Sequence, residues 1–289
     1  MQLIVSDTYS PSFNLAAEQY LLAERQSDVL LFYINSPCIV IGRNQNAFAE
    51  INIPLCRQEN ITVVRRLSGG GAVYHDEGNL NFCFISQKSN SPLDIDYLAI
   101  IEDALSHLSI NTTRGTRKDL YSNNKKISGT ALHSTGDHLL FHGTLLYNAN
   151  LDRLEKALTP SEKSESRAVK SIRSVVGNIL SQNLSSPLEK SGEVFLQQLL
   201  PYFSIKYRTT PIHFSSEDKT AIQQLQAERY DTWEWNWAQS PKSQLTRSFE
   251  FEGQTYDLLL TIEKGLITSI SNNCPDKLQR QLAGSRFEG

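Results

Sequence analysis

The residue types that could do chemistry are concentrated in residues 65–79, which read Arg-Arg-Leu-Ser-Gly-Gly-Gly-Ala-Val-Tyr-His-Asp-Glu-Gly-Asn. Gly69, Gly70 and Gly71 carry no side chain, so the backbone there can approach a ligand closely, at an entropic cost. Successive exposed N–H groups in such a turn make a nest for an anion. Arg65 and Arg66, directly before the glycines, supply fixed positive charge suited to phosphate or carboxylate. A bare triple glycine reads first as a flexible turn. The two arginines ahead of it and the His75-Asp76 turn behind it favour a ligand site. No Lys-Ser/Thr follows the glycines, so this is not the phosphate loop of the GxxxxGK[ST] type.

A second segment, Lys125-Lys126-Ile127-Ser128-Gly129-Thr130-Ala131, puts lysine at the mouth of an apolar run. A lysine so placed can bridge phosphate and carboxylate oxygens, although most loop lysines are simply solvated. Local chemistry does not separate Lys125 from Lys126. His142-Gly143-Thr144 follows on a second apolar run. His133, His138 and His142 lack an acidic or cysteine ligand at a recognised spacing, and HExxH is absent, so zinc is disfavoured. Lys163, Arg167, Lys170 and Arg173 lie in a long Ser-rich stretch that is either a solvated face or a loop closing over phosphates. The four cysteines, Cys38, Cys56, Cys83 and Cys274, form no CxxC pair. They read as reduced, buried thiols, hence a cytoplasmic protein. Trp233, Trp235 and Trp237 read as the core of a small domain rather than a ligand platform.

These groups must be held by regular elements. Ser10-Pro11 marks a helix start, and Phe13, Ala16, Ala17, Tyr20 and Leu21 share one helical face. Residues 29–34, 39–41 and 61–66 are apolar or β-branched runs and read as strands. Residues 72–74 and 80–85 read as a hairpin about the turn 75–79. In it Leu80, Phe82 and Phe84 alternate with Asn81 and Cys83 as in a half-buried strand. Ser91-Pro92 opens a helix to about Leu108, with Leu98, Ile101 and Leu105 at helical spacing. Residues 127–132 and 139–147 form a second hairpin, and residues 160–178 a long loop expected to be mobile without ligand. Helices are expected at 187–202 and 216–229. From Trp233 onward the alternation of Trp with Glu234 and Asn236 reads as strand, followed by strands at 249–251, 256–262 and 266–270. A large domain over 1–229 and a small accessory domain over 230–289 are expected, the latter too small to be stable alone.

Composition sets the outer limits. The 289 residues are 39% hydrophobic and 20% charged, with a net charge of −3. That balance supports a globular core and argues against bulk electrostatic binding to nucleic acid or membrane. The longest apolar run, Val29 to Ile34, is too short to span a bilayer. No basic or apolar leader follows Met1, so no secretory signal is expected.

The segments together resemble the lipoate–protein ligase A family. The likeness includes Ser6-Asp7, Asn14-Leu15-Ala16, Ile41-Gly42-Arg43-Asn44-Gln45-Asn46, residues 65–79, Lys125 to Gly129, His142 to Leu146, Ser171-Ile172-Arg173-Ser174 and Trp233-Glu234-Trp235-Asn236. It implies an α/β (α+β) fold: a large catalytic domain with a mixed sheet flanked by helices, like the biotin ligase and class II synthetase core, and a small α+β accessory domain. It also implies the reaction. Lipoate, or octanoate, and ATP with Mg²⁺ give lipoyl-adenylate, and the acyl group passes to a lysine on lipoyl domains of 2-oxoacid dehydrogenases or on the glycine cleavage H protein. By the same resemblance Lys126 is the catalytic lysine. Arg66, Gly71, Ala72, Val73, Tyr74, Lys126 and Asp119 are expected at ATP, with Asp119 as Mg²⁺ ligand. Arg65, Ser68, Gly69, Gly70, Gly71, His75, Lys126, Gly129 and His142 are expected at lipoate. Val40, Phe82 and Ile85 could form the apolar slot for the dithiolane. A monomer is expected.

Two departures from the family pattern stand out. The accessory domain is shorter than in the bacterial ligases, as in a native short form or a fragment. Val175 stands where a basic residue is expected. Both bear on adenylation and keep alternatives in view. One is a lipoyl or octanoyl transferase using preformed lipoyl-AMP or a carrier-bound acyl group. Another is a non-catalytic lipoate-binding protein. The cysteine-dependent branch is disfavoured because Cys83 lies in an apolar strand with no base adjacent in sequence.

Overall fold

The computed structural model describes residues 1–24, 27–88, 96–161, 164–180, 191–271 and 273–287. The chain divides into two compact units that are discontinuous in sequence. The first holds residues 1–38, 75–152 and 173–228, and the second residues 39–74, 153–172 and 229–289.

The first unit is built on a five-stranded mixed sheet. Its order is Gln2–Val5, Val29–Ile34, Asn79–Gln87, His138–Leu146 and Thr130–Ser134. The first pair is parallel and the other pairings are antiparallel. Leu30, Phe32, Leu80, Phe82, Phe84, Leu139, Phe141 and Leu145 point to one face and share a core with helices Tyr97–His107 and Gly192–Tyr207. Each buried Phe or Leu there contributes about 1.5–3 kcal/mol by leaving water. Helix Pro11–Glu24 packs on the opposite face. It starts where Ser10-Pro11 predicts, with the Ser10 hydroxyl accepting from the Phe13 N–H at 3.3 Å.

The expected hairpin of 72–74 with 80–85 does not form. Asn79–Gln87 pairs instead with Val29–Ile34 and His138–Leu146, and Val73–His75 joins a different sheet. The polar residues that suggested a solvent face are buried and bond within the sheet, although Asn79 Oδ1 is without a partner. Asn79 Nδ2 donates to Asn81 Oδ1 at 3.0 Å, and Asn81 Nδ2 to the Tyr33 carbonyl at 3.3 Å. The second hairpin forms as Thr130–Ser134 with His138–Leu146. Its predicted first strand breaks at Gly129, and Lys125–Ser128 belongs to a small sheet with Thr113–Arg114 and Leu120–Ser122. Asn123 and Asn124, at φ 49° and 62°, make the two-residue turn between the last two of these strands. Ser91-Pro92 and Pro187 lie outside the described residues. The helices they would start run Tyr97–His107 and Gly192–Tyr207, capped by Asp96 and Ser191. The next helix, Ser216–Leu225, continues as one π-helical turn through Tyr230.

The second unit contains a three-stranded sheet, Thr62–Arg65, Cys38–Ile41 and Val73–His75, whose outer ends carry the chain to and from the first unit. It also contains an antiparallel sheet ordered Ser164–Ser166, Ser243–Phe251, Gln254–Glu263 and Leu266–Ile270. Its core gathers Ile39, Phe48, Ile61, Tyr74, Leu245, Leu258, Leu260, Ile262 and Ile267. The Trp-rich segment is a short helix, Trp233–Asn236, and not the expected strand. Thr232 decides this locally, since its hydroxyl caps the helix by accepting from the Trp235 N–H at 3.2 Å. Among the described residues no helix is long and apolar enough to cross a membrane.

Candidate active site

The first unit places Lys126 beside an acid. The Asn-Asn turn folds Lys125–Ser128 back on Leu120–Ser122, and Lys126 Nζ comes to 3.2 Å from Asp119 Oδ2. Asp119 is buried. Tyr121 donates its hydroxyl to the same oxygen at 3.3 Å, while Oδ1 is buried without a partner. Burial pushes the Asp119 carboxyl up, but the Lys126 charge and hydrogen bond outweigh it and hold the group below the usual carboxylate range. The two adjacent lysines therefore differ: Lys125 is exposed, and Lys126 is half-buried and paired. The Lys126 backbone is also fixed, its N–H donating to Val175 O at 2.9 Å and its carbonyl accepting from Gly177 N at 3.0 Å. A methyl at Gly129 would stand 3.4 Å from Lys126 Cε, an ordinary contact distance.

His142 and His75 are buried in the same unit, each with a partner brought from far along the chain. His142 Nδ1 lies 2.9 Å from both Glu18 carboxylate oxygens, and the Tyr33 hydroxyl donates to Glu18 Oε1 at 2.9 Å. Cys83 completes a buried Glu-Cys-His group whose ligand atoms lie within 4.8 Å of one another. No sequence spacing announces this group, because Glu18 comes from the first helix. His75 Nδ1 sits 3.0 Å from Asn35 Nδ2.

The second unit shapes the glycine-rich block. The Arg65 guanidinium is fully buried. Nε donates to Trp235 O, Nη1 to the carbonyls of Gly42, Arg43 and Gln45, and Nη2 to Asn236 O and Ser240 Oγ. All of its N–H groups are thus used inside the protein. Through these bonds Arg65, expected at lipoate, fastens the loop. Burial, then the charges of Arg43 and Arg66, push its pKa down to about 10. Arg66 reaches Val40 O, Ser68 Oγ, and the carbonyls of Gly69 and Gly71 at 2.7 and 2.8 Å. Gly70 takes φ +94°, and a Cβ at Gly42 would stand 2.1 Å from Gly70 O. Ser171 Oγ accepts from the Ala72 N–H at 2.9 Å and from Gln45 Nε2 at 3.0 Å, while Ser171 N–H donates to Glu50 at 3.1 Å. The buried Asn46 Nδ2 has no partner.

Asp119, Lys126, Gly129, His75 and His142 fall in the first unit; Arg65, Arg66, Ser68, Gly69, Gly70, Gly71, Ala72, Val73 and Tyr74 fall in the second. The Ala72 N–H, expected at nucleotide, is engaged by Ser171, and Tyr74 is a core residue. Phe82 and Ile85 occupy opposite faces of one strand, so they cannot line one slot together. Phe82 packs against Phe84 and Phe141 instead. Parts of the stretch expected as a long loop make defined contacts. Ser164–Ser166 pairs with Ser243–Phe251, Ser171 is tied to the glycine-rich block, and residues 175–177 flank Lys126. Lys163 lies outside the described residues. Sequence reasoning missed Glu18 and Asn35, which touch the candidate residues only through the fold, and named Ser171 only within the family likeness.

The family model of the lipoyl protein ligase A/B catalytic domain matches residues 10–200. The chain is 37% identical to the lipoate-protein ligase LplJ of Bacillus subtilis, over 89% of this chain and 79% of that protein. It is 36% identical to lipoate–protein ligase 1 of Staphylococcus aureus, with the same coverage. Among solved structures, LipL1 of P. falciparum in complex with lipoate aligns with a TM-score of 0.68 at 23% identity, covering 99% of this chain and 90% of that one. A lipoate-protein ligase A bound with ATP aligns with a TM-score of 0.65 at 23% identity, covering 81% and 97%. The fold is therefore that of these ligases. On the extent of that match and the identity to its relatives, the chain belongs to the lipoate–protein ligase family.

Proposed function

We infer that this chain is an ATP-dependent lipoate–protein ligase, acting through an acyl-adenylate. The family and the curated relatives, all named as ligases, support the class of reaction. The observation that carries the assignment to residues is the Lys126–Asp119 pair, in which one carboxylate oxygen holds the lysine and the other is buried without a partner.

In the first half-reaction a lipoate carboxylate oxygen bonds to the α-phosphorus of ATP. The bond from that phosphorus to the bridging oxygen breaks, and pyrophosphate leaves. Two anions must meet, and the Lys126 ammonium, fixed through its backbone and by Asp119, offsets charge that grows in the transition state. The glycine-rich block, drawn onto Arg66 through its carbonyls, presents a cationic neighbourhood of Arg43, Arg65 and Arg66 to an anionic ligand. Asp119 Oδ1 fits a magnesium ligand, since Mg²⁺ is usually held by one or two carboxylates plus substrate phosphates. When bound, Mg²⁺ supplies further neutralisation of phosphate charge. In the second half-reaction the neutral amine of an acceptor lysine bonds to the acyl carbon and gives up a proton, and AMP leaves.

The acceptors are lipoyl domains of 2-oxoacid dehydrogenases and the glycine cleavage H protein, and the enzyme works as a cytoplasmic monomer. Four buried free thiols support a reducing compartment. Burial raises the thiols of Cys38, Cys56, Cys83 and Cys274, which speaks against a cysteine acyl carrier. The test is pyrophosphate release from ATP and Mg²⁺, with and without lipoic acid and without acceptor. Lipoate-dependent release is expected. No release, with acceptor labelling from supplied lipoyl-adenylate, would make the protein a transferase instead.

A further inference from the structure

The five-stranded sheet ends at Thr130–Ser134, the last strand in its order, beside His138–Leu146. The register settles which backbone groups of this strand face outward. The Thr144 N–H donates to the Gly129 carbonyl at 3.0 Å, and the Thr135 N–H to the His138 carbonyl at 3.0 Å. Bonded and non-bonded residues alternate along an antiparallel pair. Ala131 and His133 therefore bond inward, and Thr130, Leu132 and Ser134 turn their N–H and C=O groups away from the sheet. Among the described residues nothing bonds to the backbone of Leu132 or Ser134. The Leu132 side chain stands opposite Phe141, a core residue, yet it is 41% exposed. The strand has no proline and no Lys, Arg, Asp or Glu, residues that commonly guard such an edge.

This edge runs into the candidate active site. Gly129 directly precedes it, and the Lys126 side chain lies against Gly129, where a Cβ would stand 3.4 Å from Lys126 Cε and 3.5 Å from Nζ. Leu132 follows three residues later, about 10 Å along an extended chain. A strand laid along the edge and continued past Thr130 therefore arrives at the Lys126 ammonium. Both ends of the edge carry a cation. The Thr130 hydroxyl donates to the Lys118 carbonyl at 2.6 Å, which sets the exposed Lys118 at one end. Lys88 Nζ donates to the carbonyls of Thr135 and Gly136 at the other, on a turn whose acid is Asp137. Two copies of the chain paired antiparallel along this edge would set Lys88 of each against Lys118 of the other. An acidic partner is attracted at both ends instead.

We propose that Thr130–Ser134 is the docking strand for the acceptor protein, an acidic domain that adds one of its own β-strands to this edge and so brings its lysine to the Lys126 site. Main-chain bonds to Leu132 and Ser134 hold the partner, and an apolar side chain of its strand covers Leu132. Recognition of this kind reads backbone and charge, so it serves more than one acceptor sequence. The partner's role as acceptor rests on the ligase reading; the open edge does not.

The test measures the two half-reactions apart. Pyrophosphate release from ATP, Mg²⁺ and lipoic acid needs no acceptor. Lipoylation of an apo lipoyl domain from a 2-oxoacid dehydrogenase, at varied concentration, reports docking. Leu132→Pro removes one outward N–H and no bond of the ladder. It should raise KM for the lipoyl domain about tenfold and leave pyrophosphate release within about twofold of wild type. Leu132→Glu keeps the backbone donor, sits at an exposed position and should raise the same KM by repelling an acidic partner. In the wild type that KM should rise with added salt, which screens the attraction. Hydrogen exchange needs no variant: the Leu132 and Ser134 amides should exchange fast in the free protein and slow when the lipoyl domain is added. An unchanged KM in both variants, or fast exchange retained at saturating lipoyl domain, overturns the proposal. So does a fall in pyrophosphate release that matches the loss of lipoylation. A dimer by light scattering that Leu132→Glu splits, with KM unchanged, makes the edge a contact between copies and overturns it too. If the lipoyl domain protects Leu132 and Ser134 but no pyrophosphate is released, the ligase reading fails and the docking strand stands.

Discussion

Lys126 and Arg65 are both cations in the sequence motifs, yet the fold uses them in opposite ways. Lys126 keeps a side chain 22% exposed, with a carboxylate partner and a strand backbone pinned on both sides. Arg65 is fully buried, and its partners are carbonyls and one hydroxyl, none of them a carboxylate. The first arrangement leaves a charge free to meet a substrate. The second spends every donor on loop geometry and leaves the charge as a background field. A motif cation is therefore assigned by what its donors already hold.

Substitutions can break this comparison, and the largest effect is expected at Arg65. Arg65→Ala strands a set of buried carbonyls and should cost about 4 kcal/mol or more in urea unfolding. A variant as stable as wild type that merely loses lipoate binding would make Arg65 a ligand contact after all. Lys126→Ala should slow lipoate-dependent pyrophosphate release by about 10²–10³-fold. Its stability should fall by about 1–2 kcal/mol, because Asp119 loses its cation, well short of the loss in Arg65→Ala. Lys125→Ala, by contrast, should stay within about 0.5 kcal/mol of wild type and keep its activity. Comparable loss of stability in Lys126→Ala would erase the distinction. Gly42→Ala sharpens the loop side. Its methyl would fall on Gly70 O, so the block must shift, with a stability loss of about 1–3 kcal/mol and a larger rise in KM than fall in kcat.

The smallest effect concerns pH. The folded-state pKa of Asp119 lies below its ordinary value, so its ionisation adds stability above the unfolded carboxyl range. That contribution is lost as pH falls through the folded value. Asp119→Asn should therefore be less stable than wild type near neutrality, and the gap should close in acid. A constant gap across pH would mean that the folded state does not lower the Asp119 pKa.

The sequence was informative where local rules act alone. Ser10-Pro11 starts a helix because capping needs only neighbours, and the 130s hairpin follows its own alternation. Trp233–Asn236 misled because alternate tryptophans imitate a strand, whereas the Thr232 cap selects a helix. Asn79–Gln87 misled because its polar side chains look solvent-facing but bond to one another and to a strand carbonyl. At the site, residue types were legible and their division of labour was not. The difference between Lys125 and Lys126, or between Arg65 and Arg66, depends on partners such as Asp119, Val175, Trp235 and Ser240. Glu18, Asn35 and Ser171 acquire meaning only after helix, strand and loop are in place.

The interleaving of the two units bears on how the protein is made. The chain enters the second unit three times, the last time at Arg229. Arg65 is synthesised long before Trp235, Asn236 and Ser240, the groups that receive its hydrogen bonds. On the ribosome its guanidinium and the glycines beside it must wait, hydrated, while the first unit completes its strands. Synthesis proceeds at about 5–20 residues per second, so the wait is on the order of ten seconds. The glycine-rich block is thus shaped at the end of biogenesis, when a short tryptophan helix emerges to close over it.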